Sequence, residues 1–164
     1  MKTKSILALL LCLLMSISLF ACTGDGGETP VSKPVDLGEV MADINAKFNF
    51  SDENMRTVDD TDSLDLYYSI APEDVKEFAA QTTKDTANDI TEIILVEAVD
   101  FEAAERIADA LEIRRQSQRD LCNSYSPELV AIIDACPVET NGNFVSLIIS
   151  ENAEAISECY KSFF

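Results

Sequence analysis

The chain has 164 residues with a formal net charge of −18, and it contains neither His nor Trp. Without His, the sequence lacks the Ser-His-Asp and Cys-His catalytic units and the imidazole ligands of many metal sites. The strong negative charge argues against binding nucleic acid through its phosphates. The length suits one globular domain. The classes that remain are a binding domain, a structural domain and an enzyme that works without His.

The N-terminal segment has the pattern of a bacterial export signal. Two Lys residues precede an apolar run of 15 residues, Ile6 to Phe20, whereas a membrane-spanning helix needs about 20. The run ends in Leu19-Phe20-Ala21-Cys22, which resembles the lipobox of bacterial lipoproteins. This resemblance implies a signal peptide over residues 1–21. It also implies that Cys22 carries a diacylglyceryl thioether with acyl chains such as palmitate.

Residues 22–36 follow as the lipidated Cys and a flexible tether, because residues 23–36 contain three Gly and two Pro and have no apolar period. Cleavage before Cys22 removes two Lys and no acidic residue, which makes the net charge −20. An anionic membrane surface repels so acidic a body, so we expect the lipid anchor to hold it there. The predicted location is the extracytoplasmic face of the cell membrane, with residues 37–164 as a single globular domain.

The first part of the predicted domain contains helices and an acidic loop. Asp36 is a candidate N-cap, and apolar residues at helical spacing predict a helix from Leu37 to about Phe48. Residues 51–65 contain six acidic side chains and one Arg, a composition that predicts an exposed loop. A short turn of helix is predicted over residues 64–70.

A first hairpin and a long helix occupy the middle of the domain. Residues 75–82 are predicted as one strand, and the β-rich run 90–99 is predicted as a second strand that is buried on both faces. Asp100 caps the long helix, which has Glu residues near its start and Arg residues near its end, as the helix dipole favours.

A second hairpin and a last helix complete the domain. After a short helix that follows Pro127, Asn141-Gly142 between two β-prone runs is a specific hairpin signal. The strands of this hairpin are residues 138–140 and 144–149, and Ser150 is the predicted cap of a last helix. The order α-ββ-α-ββ-α predicts an α+β fold, with a single antiparallel sheet of about four strands covered by helices on one side.

An ordered set of short segments extends across the domain. The set comprises Asp36-Leu37, Leu66-Tyr67-Tyr68, Ile70-x-Pro72-Glu73-Asp74-Val75, Glu92 to Val96, Arg114-x-x-x-Gln118, Tyr125-x-Pro127-Glu128 and Gly142 to Ser150. It resembles the family of small bacterial lipoproteins called domain of unknown function 4358, over roughly residues 36–164. The resemblance implies a lipid-anchored exported domain and no assigned activity.

Arg114, Gln118 and Tyr125 are the candidate polar set for a ligand or for a structural contact. Arg114 and Gln118 are four residues apart and therefore share a helix face, which continues the apolar stripe of that helix. Two interpretations of Arg114 remain open. It either reaches a carboxylate or a ligand anion, or it ties the end of the helix to the following loop.

Cys122 and Cys136 form a candidate disulfide, because they flank the predicted short helix and an exported location permits disulfides. Cys159 falls beside the apolar face of the last helix, where we expect it to pack as a small hydrophobic side chain.

No metal site is predicted, with one weak alternative. The clustered carboxylates have the oxygen ligands that calcium prefers, and they belong to Asp59, Asp60, Asp62 and Asp65. The EF-hand pattern fails at this place, because the loop needs a Gly at its sixth position and Asp65 occupies it. No cofactor is expected.

Three hypotheses for function follow. The first is a membrane-anchored extracytoplasmic lipoprotein that is not an enzyme and that binds an envelope protein or serves envelope upkeep. The alternative is a solute-binding lipoprotein for a small ligand, which a deep pocket lined by Arg114 and Tyr125 would favour. The third is a hydrolase or its inhibitor, because paired carboxylates catalyse glycoside hydrolysis. Nucleic acid is not an expected partner.

Overall fold

The computed structural model describes residues 34–164, so the predicted signal peptide, Cys22 and most of the predicted tether lie outside the described residues. The described helices are α1 (Leu37–Phe48), α2 (Thr61–Tyr68), α3 (Phe101–Tyr125), α4 (Val130–Asp134) and α5 (Ala153–Lys161). The strands are β1 (Met55–Val58), β2 (Val75–Thr83), β3 (Glu92–Ala98), β4 (Val138–Asn141) and β5 (Phe144–Ile149). Short 3-10 turns cover Pro72–Asp74 and Pro127–Leu129. None of these helices is long and apolar enough to span a bilayer.

The five strands form one antiparallel sheet in the order β1-β2-β3-β5-β4. β3 lies at the centre, where Val96 pairs with Phe78 on β2 and with Val145 on β5. The run from Glu92 to Val96 is buried throughout, as its apolar composition predicts. The α+β class, the antiparallel sheet and both predicted hairpins are therefore confirmed.

The sheet has one strand more than the four predicted. β1 lies inside residues 51–65, which the sequence analysis assigned to an exposed loop, and it pairs with β2 from Met55 opposite Thr83 to Val58 opposite Ala80. Only Met55 and Val58 of this strand are buried, so its pattern does not follow the two-residue alternation of a typical strand. The prediction of a loop was wrong here because the acidic residues on either side of this short edge strand dominate the composition of the segment.

Helices cover both faces of the sheet, so the prediction of a cover on one side is wrong. On the first face, Ile94 of β3 packs with α3 through residues such as Ile107. On the second face, Ile93 and Leu95 pack with apolar residues of α1 and α5. Because successive side chains of a strand point to opposite faces, a central strand that is buried throughout requires a helical layer on each side.

The predicted N-caps of the two longest helices are confirmed. The Asp36 carboxylate accepts a hydrogen bond from the Glu39 N–H at 2.9 Å at the start of α1. Asp100 accepts one from the Ala103 N–H at 2.8 Å at the start of α3. These bonds satisfy backbone donors that a helix leaves free at its N-terminus.

A two-residue loop, Gly142-Asn143, joins β4 to β5, because Asn141 already pairs with Phe144. Gly142 has a φ of +59° and Asn143 does not have a positive φ. A positive φ at the first loop residue alone is the pattern of a type II′ turn, in which Gly is favoured at that place. The hairpin signal of the sequence is therefore correct, but its turn lies one residue later than the Asn141-Gly142 pair.

Candidate functional site

An open groove of about 800 Å³ lies along the outer end of the sheet, between β4 and β5 on one side and α4 and α5 on the other. Its floor is mainly apolar, and we call it the edge groove. The apolar residues that line it include Ile132, Pro137, Ile148 and Ala153. The volume is within the usual range of ligand sites, which is about 300 to 1,000 Å³.

The α5 wall of the edge groove is acidic. Glu154 and Glu158 are four residues apart on one side of α5, and Glu151 lies just before the helix begins. All three line the groove and are exposed. No cation of the described residues forms an ion pair with any of them. The wall therefore carries negative charge that no neighbouring side chain neutralises.

Glu139 of β4 stands between the edge groove and a second, smaller cavity of about 390 Å³. Its carboxylate accepts hydrogen bonds from the Lys161 ammonium at 2.9 Å and from the Ser157 hydroxyl at 3.0 Å. The Lys161 bond is the main reason that the pKa of Glu139 lies below its ordinary value, and burial opposes it. Glu139, Ser146 and Lys161 line both cavities, which makes the two neighbours.

Tyr160, which lines the smaller cavity, has a buried hydroxyl group without a partner among the described residues. Tyr160 is only 4% exposed, and its hydroxyl has no hydrogen-bond partner among the described residues. Phe164 packs edge-on against this ring at 5.1 Å between ring centroids, and Phe144 packs against Phe164 in the same way. Burial is the largest cause that raises the pKa of Tyr160, and the negative charge of Glu139 raises it further. A buried hydroxyl without a partner costs free energy that a ligand atom can recover.

The backbone of β4 is free along its outer edge. In an antiparallel hairpin with a two-residue loop, the flanking pair exchanges hydrogen bonds and the next pair does not. The register therefore directs the N–H and C=O groups of Val138 and Thr140 away from β5. Among the described residues, no backbone partner outside the sheet bonds to these two residues.

Arg114 and Gln118, two members of the predicted polar set, do come together, but around a buried carboxylate. Arg114 of α3 donates two hydrogen bonds to Glu92 of β3, from Nη2 at 2.8 Å and from Nε at 3.1 Å. With its amide oriented to satisfy both groups, Gln118 accepts hydrogen bonds from the same guanidinium. The ring of Tyr68 lies 5.4 Å from the guanidinium carbon, in cation–π range.

The charges and hydrogen-bonding groups of this cluster are satisfied by one another. Burial raises the pKa of Tyr68 most, and the charge of Glu92, to which its hydroxyl is hydrogen-bonded, raises it further. Burial alone would lower the pKa of Arg114, but hydrogen bonds to Glu92 and the charge of Glu92 hold it above its ordinary value. Of the two interpretations, Arg114 therefore reaches a carboxylate of the chain itself. It ties α3 to the central strand rather than to the loop after the helix.

Tyr125, the third member of the predicted polar set, does not join this cluster. It is the last residue of α3 and is 81% exposed. It follows Gln118 by seven residues, or about 10 Å along the helix axis. Neither Arg114 nor Tyr125 lines the edge groove, the smaller cavity or a third cavity between α3 and the β4–β5 hairpin, so the arrangement that would favour a solute-binding protein is not found there.

All three cysteines of the described residues are free and buried. Cys122 and Cys136, the candidate disulfide pair, both belong to the apolar cluster on the α3 face, where they pack as small hydrophobic side chains. Cys159 packs in the other cluster, as predicted, and its thiol donates a hydrogen bond to Asp43 of α1 at 3.2 Å. Burial is the largest cause that raises the pKa of each thiol.

Two of the four candidate calcium ligands, Asp60 and Asp62, stabilise the start of α2. Asp60 is the N-cap of α2, where it accepts hydrogen bonds from the N–H and the hydroxyl of Ser63 at 2.7 and 3.1 Å. Asp62 then lies in the first turn of that helix, where a negative charge is favourable. Within residues 34–164, no group of three or more Asp, Glu or Cys side chains is arranged to hold a metal ion.

The sequence analysis missed the edge groove, although one signal was available. Glu151, Glu154 and Glu158 occur at helical spacing on the side of the last helix next to its apolar stripe. Nothing in the sequence shows that this side faces β4, because the packing of α5 beside the sheet edge depends on contacts that are distant in the chain.

The comparisons with known proteins give one match. The family model described as Domain of unknown function (DUF4358) matches residues 49–150. The matched residues include all five strands and leave out α1 and α5, so the match is shorter at both ends than the predicted extent of residues 36–164. No curated protein and no solved structure matches the chain.

Proposed function

Since the chain belongs to the family described as Domain of unknown function (DUF4358), we propose its function from its own residues. It is a lipid-anchored, extracytoplasmic domain that acts by binding a partner in the edge groove rather than by catalysis. The observation that carries the proposal is the apolar floor of this 800 Å³ groove beside an acidic wall that no cation of the described residues neutralises. An apolar depression with a few convergent charges is typical of binding sites.

The proposed anchor is Cys22. The Leu19-Phe20-Ala21-Cys22 sequence supports it, together with the acidic body that would not approach an anionic membrane unaided. The test is growth with an alkyne-bearing fatty acid, followed by coupling to a fluorophore and electrophoresis. We expect the label on the wild-type protein and none on Cys22→Ala. An equally labelled Cys22→Ala protein would contradict the anchor.

The proposed binding is tested by photo-crosslinking in living cells. A photoreactive amino acid at the exposed, groove-lining position Glu154 should form an adduct with the partner. Ala135→Trp, which places an indole in the groove from the α4 side, should abolish the adduct. Ala155→Trp is the matched control, since Ala155 is exposed on α5 but does not line the groove. Equal adduct formation in the two Trp variants would exclude the groove as the binding site.

A second candidate function is a small-ligand, solute-binding lipoprotein. The observation that favours it is the smaller cavity, whose volume of about 390 Å³ suits a small molecule and whose Tyr160 hydroxyl has no partner. A thermal-shift screen with small polar solutes tests it. A solute that stabilises the wild-type protein but not Tyr160→Phe would support this function over the first.

A further inference from the structure

We propose that the occupant of the edge groove is an extended, basic segment of a partner protein that adds to β4 as a further strand of the sheet. This inference rests on the proposed function and names the kind of partner. It combines the charge of the groove, the free backbone edge of β4 and the unpartnered hydroxyl of the neighbouring cavity.

The negative charge of the edge groove favours a partner with positively charged side chains. Its lining contains four carboxylates, which belong to Glu139, Glu151, Glu154 and Glu158, and one ammonium, that of Lys161. The excess of three negative charges is complementary to Lys or Arg side chains of a partner. The apolar floor at the same time favours Lys or Arg, because the aliphatic stems of these side chains can pack along it.

The unpaired backbone groups at the outer edge of β4 favour a partner segment in extended conformation. The outward N–H and C=O groups of Val138 and Thr140 have the spacing of a strand edge, and an added strand would bond to both. Cavities flank β4 on both faces of the sheet. The third, of about 510 Å³, lies between α3 and the β4–β5 hairpin. Its lining includes the apolar Phe101 and Ala104 and the acidic Glu105 and Asp109. Side chains of an added strand alternate between the faces, so both sides of the edge have space for them.

Because side chains alternate along a strand, the basic and the apolar side chains of the added strand would lie on opposite faces of the sheet. Glu139 directs its carboxylate towards α5, where it meets Ser157 and Lys161. Basic side chains of the added strand would point to this face and compete with Lys161 for Glu139. Tyr160 lines the adjoining cavity, and its unpartnered hydroxyl would accept a further hydrogen bond from such a side chain once the ring turns towards it. Apolar side chains would point to the α3 face, against residues such as Phe101, whose ring is exposed.

The experiment measures fluorescence anisotropy of labelled peptides with the full chain purified in detergent. The probe is a peptide of about eight residues in which Lys and Val alternate, a length typical of a strand. The comparison peptides are an alternating Glu and Val peptide and a Lys and Val peptide that is N-methylated at every second residue. We expect only the unmodified Lys and Val peptide to bind, because N-methyl groups remove the donors that pair with β4.

Matched variants separate a site from general attraction to an acidic protein. Glu154→Gln with Glu158→Gln should weaken binding about fivefold. Asp62→Asn with Asp65→Asn on α2 removes the same charge far along the chain and should leave binding unchanged. Equal weakening by the two pairs, or equal binding of the N-methylated peptide, would overturn the inference. If the Lys and Val peptide does not bind but the crosslink from position 154 is still formed, the proposed basic strand is wrong and the edge groove remains the binding site. If the peptide does not bind and no crosslink is formed, the proposed function is wrong as well.

Discussion

Arg114 of the long helix α3 holds Glu92 of the central strand β3 through two hydrogen bonds of 2.8 and 3.1 Å. Glu92 is only 2% exposed and the Arg114 side chain is 27% exposed, so the pair is largely removed from water. A buried carboxylate is tolerated only when a partner compensates its charge. The pair therefore fixes how α3 lies across the sheet.

The first prediction concerns this pair. Arg114→Met leaves Glu92 buried without its counter-charge, and we expect a loss of about 2 to 3 kcal/mol in the free energy of unfolding, measured by urea denaturation. The double variant with Glu92→Leu should recover much of this loss, because it removes the uncompensated charge. Arg119 lies on the same helix as Arg114 and forms an exposed pair with Asp134 of α4, so Arg119→Met should cost less than about 1 kcal/mol. An Arg114→Met protein as stable as Arg119→Met would contradict the structural role.

Removing the hydroxyl group from each of two buried tyrosines, Tyr68 and Tyr160, should affect stability differently. The Tyr68 hydroxyl is hydrogen-bonded to Glu92, so Tyr68→Phe should lower the free energy of unfolding by about 1 kcal/mol. The Tyr160 hydroxyl has no partner among the described residues, so Tyr160→Phe should leave the free energy unchanged or increase it. Thermal melting of both variants checks the contrast. A larger loss from Tyr160→Phe than from Tyr68→Phe would show that the hydroxyl of Tyr160 is satisfied in the free protein.

The ion pair between Asp74 and Arg106 predicts a dependence of stability on pH. Arg106 donates its Nε hydrogen to Asp74 at 2.9 Å, and this bonding lowers the pKa of Asp74 below the 3.8 of the unfolded chain. A lowered pKa in the folded state contributes stability above pH 3.8, and the contribution is lost as the pH falls through the folded pKa. Asp74→Asn should therefore reduce the melting temperature at about pH 7, with the difference narrowing below about pH 3. A difference that stays constant with pH would contradict the linkage.

Alkylation tests the state of the cysteines. Cys122 and Cys136 are free and buried, so iodoacetamide should modify both in the unreduced protein after denaturation and neither in the native protein. Mass spectrometry of the proteolytic peptides that contain the two residues measures this directly. Recovery of a disulfide-linked peptide pair from the unreduced protein would instead restore the disulfide hypothesis.

The fold was predictable where local signals are strong. Asp36 and Asp100 are recognisable caps, the run from Glu92 to Val96 is apolar enough to predict a central strand, and the Gly142 hairpin has a specific turn signal. The second layer of helices could also have been predicted, because a central strand that is buried on both faces requires helices on both faces of the sheet. β1 was not predictable, since its position at the edge of the sheet depends on pairing with residues of β2 that follow it by 22 to 28 positions.

The candidate site was less accessible to sequence reasoning. The polar set on α3 was found because Arg114 and Gln118 share a helix face. Its partner Glu92 lies 22 residues before Arg114, at the start of a strand whose next four residues are all apolar. The edge groove depends on the approach of α5 to β4. That approach brings Ser157 and Lys161 to Glu139 and is decided by the packing of the whole second layer.

Backbone NMR of the full chain in micelles, titrated with the alternating Lys and Val peptide, tests the binding of an added strand at β4 most directly. We expect the chemical-shift changes to concentrate on β4 and α5. We also expect hydrogen exchange of the Val138 and Thr140 amides to slow by about tenfold or more at saturation, because an added strand protects them. Changes centred instead on the opposite edge at Arg56 and Thr57 of β1, with unaltered exchange at Val138 and Thr140, would contradict the assignment of the edge groove as the binding site.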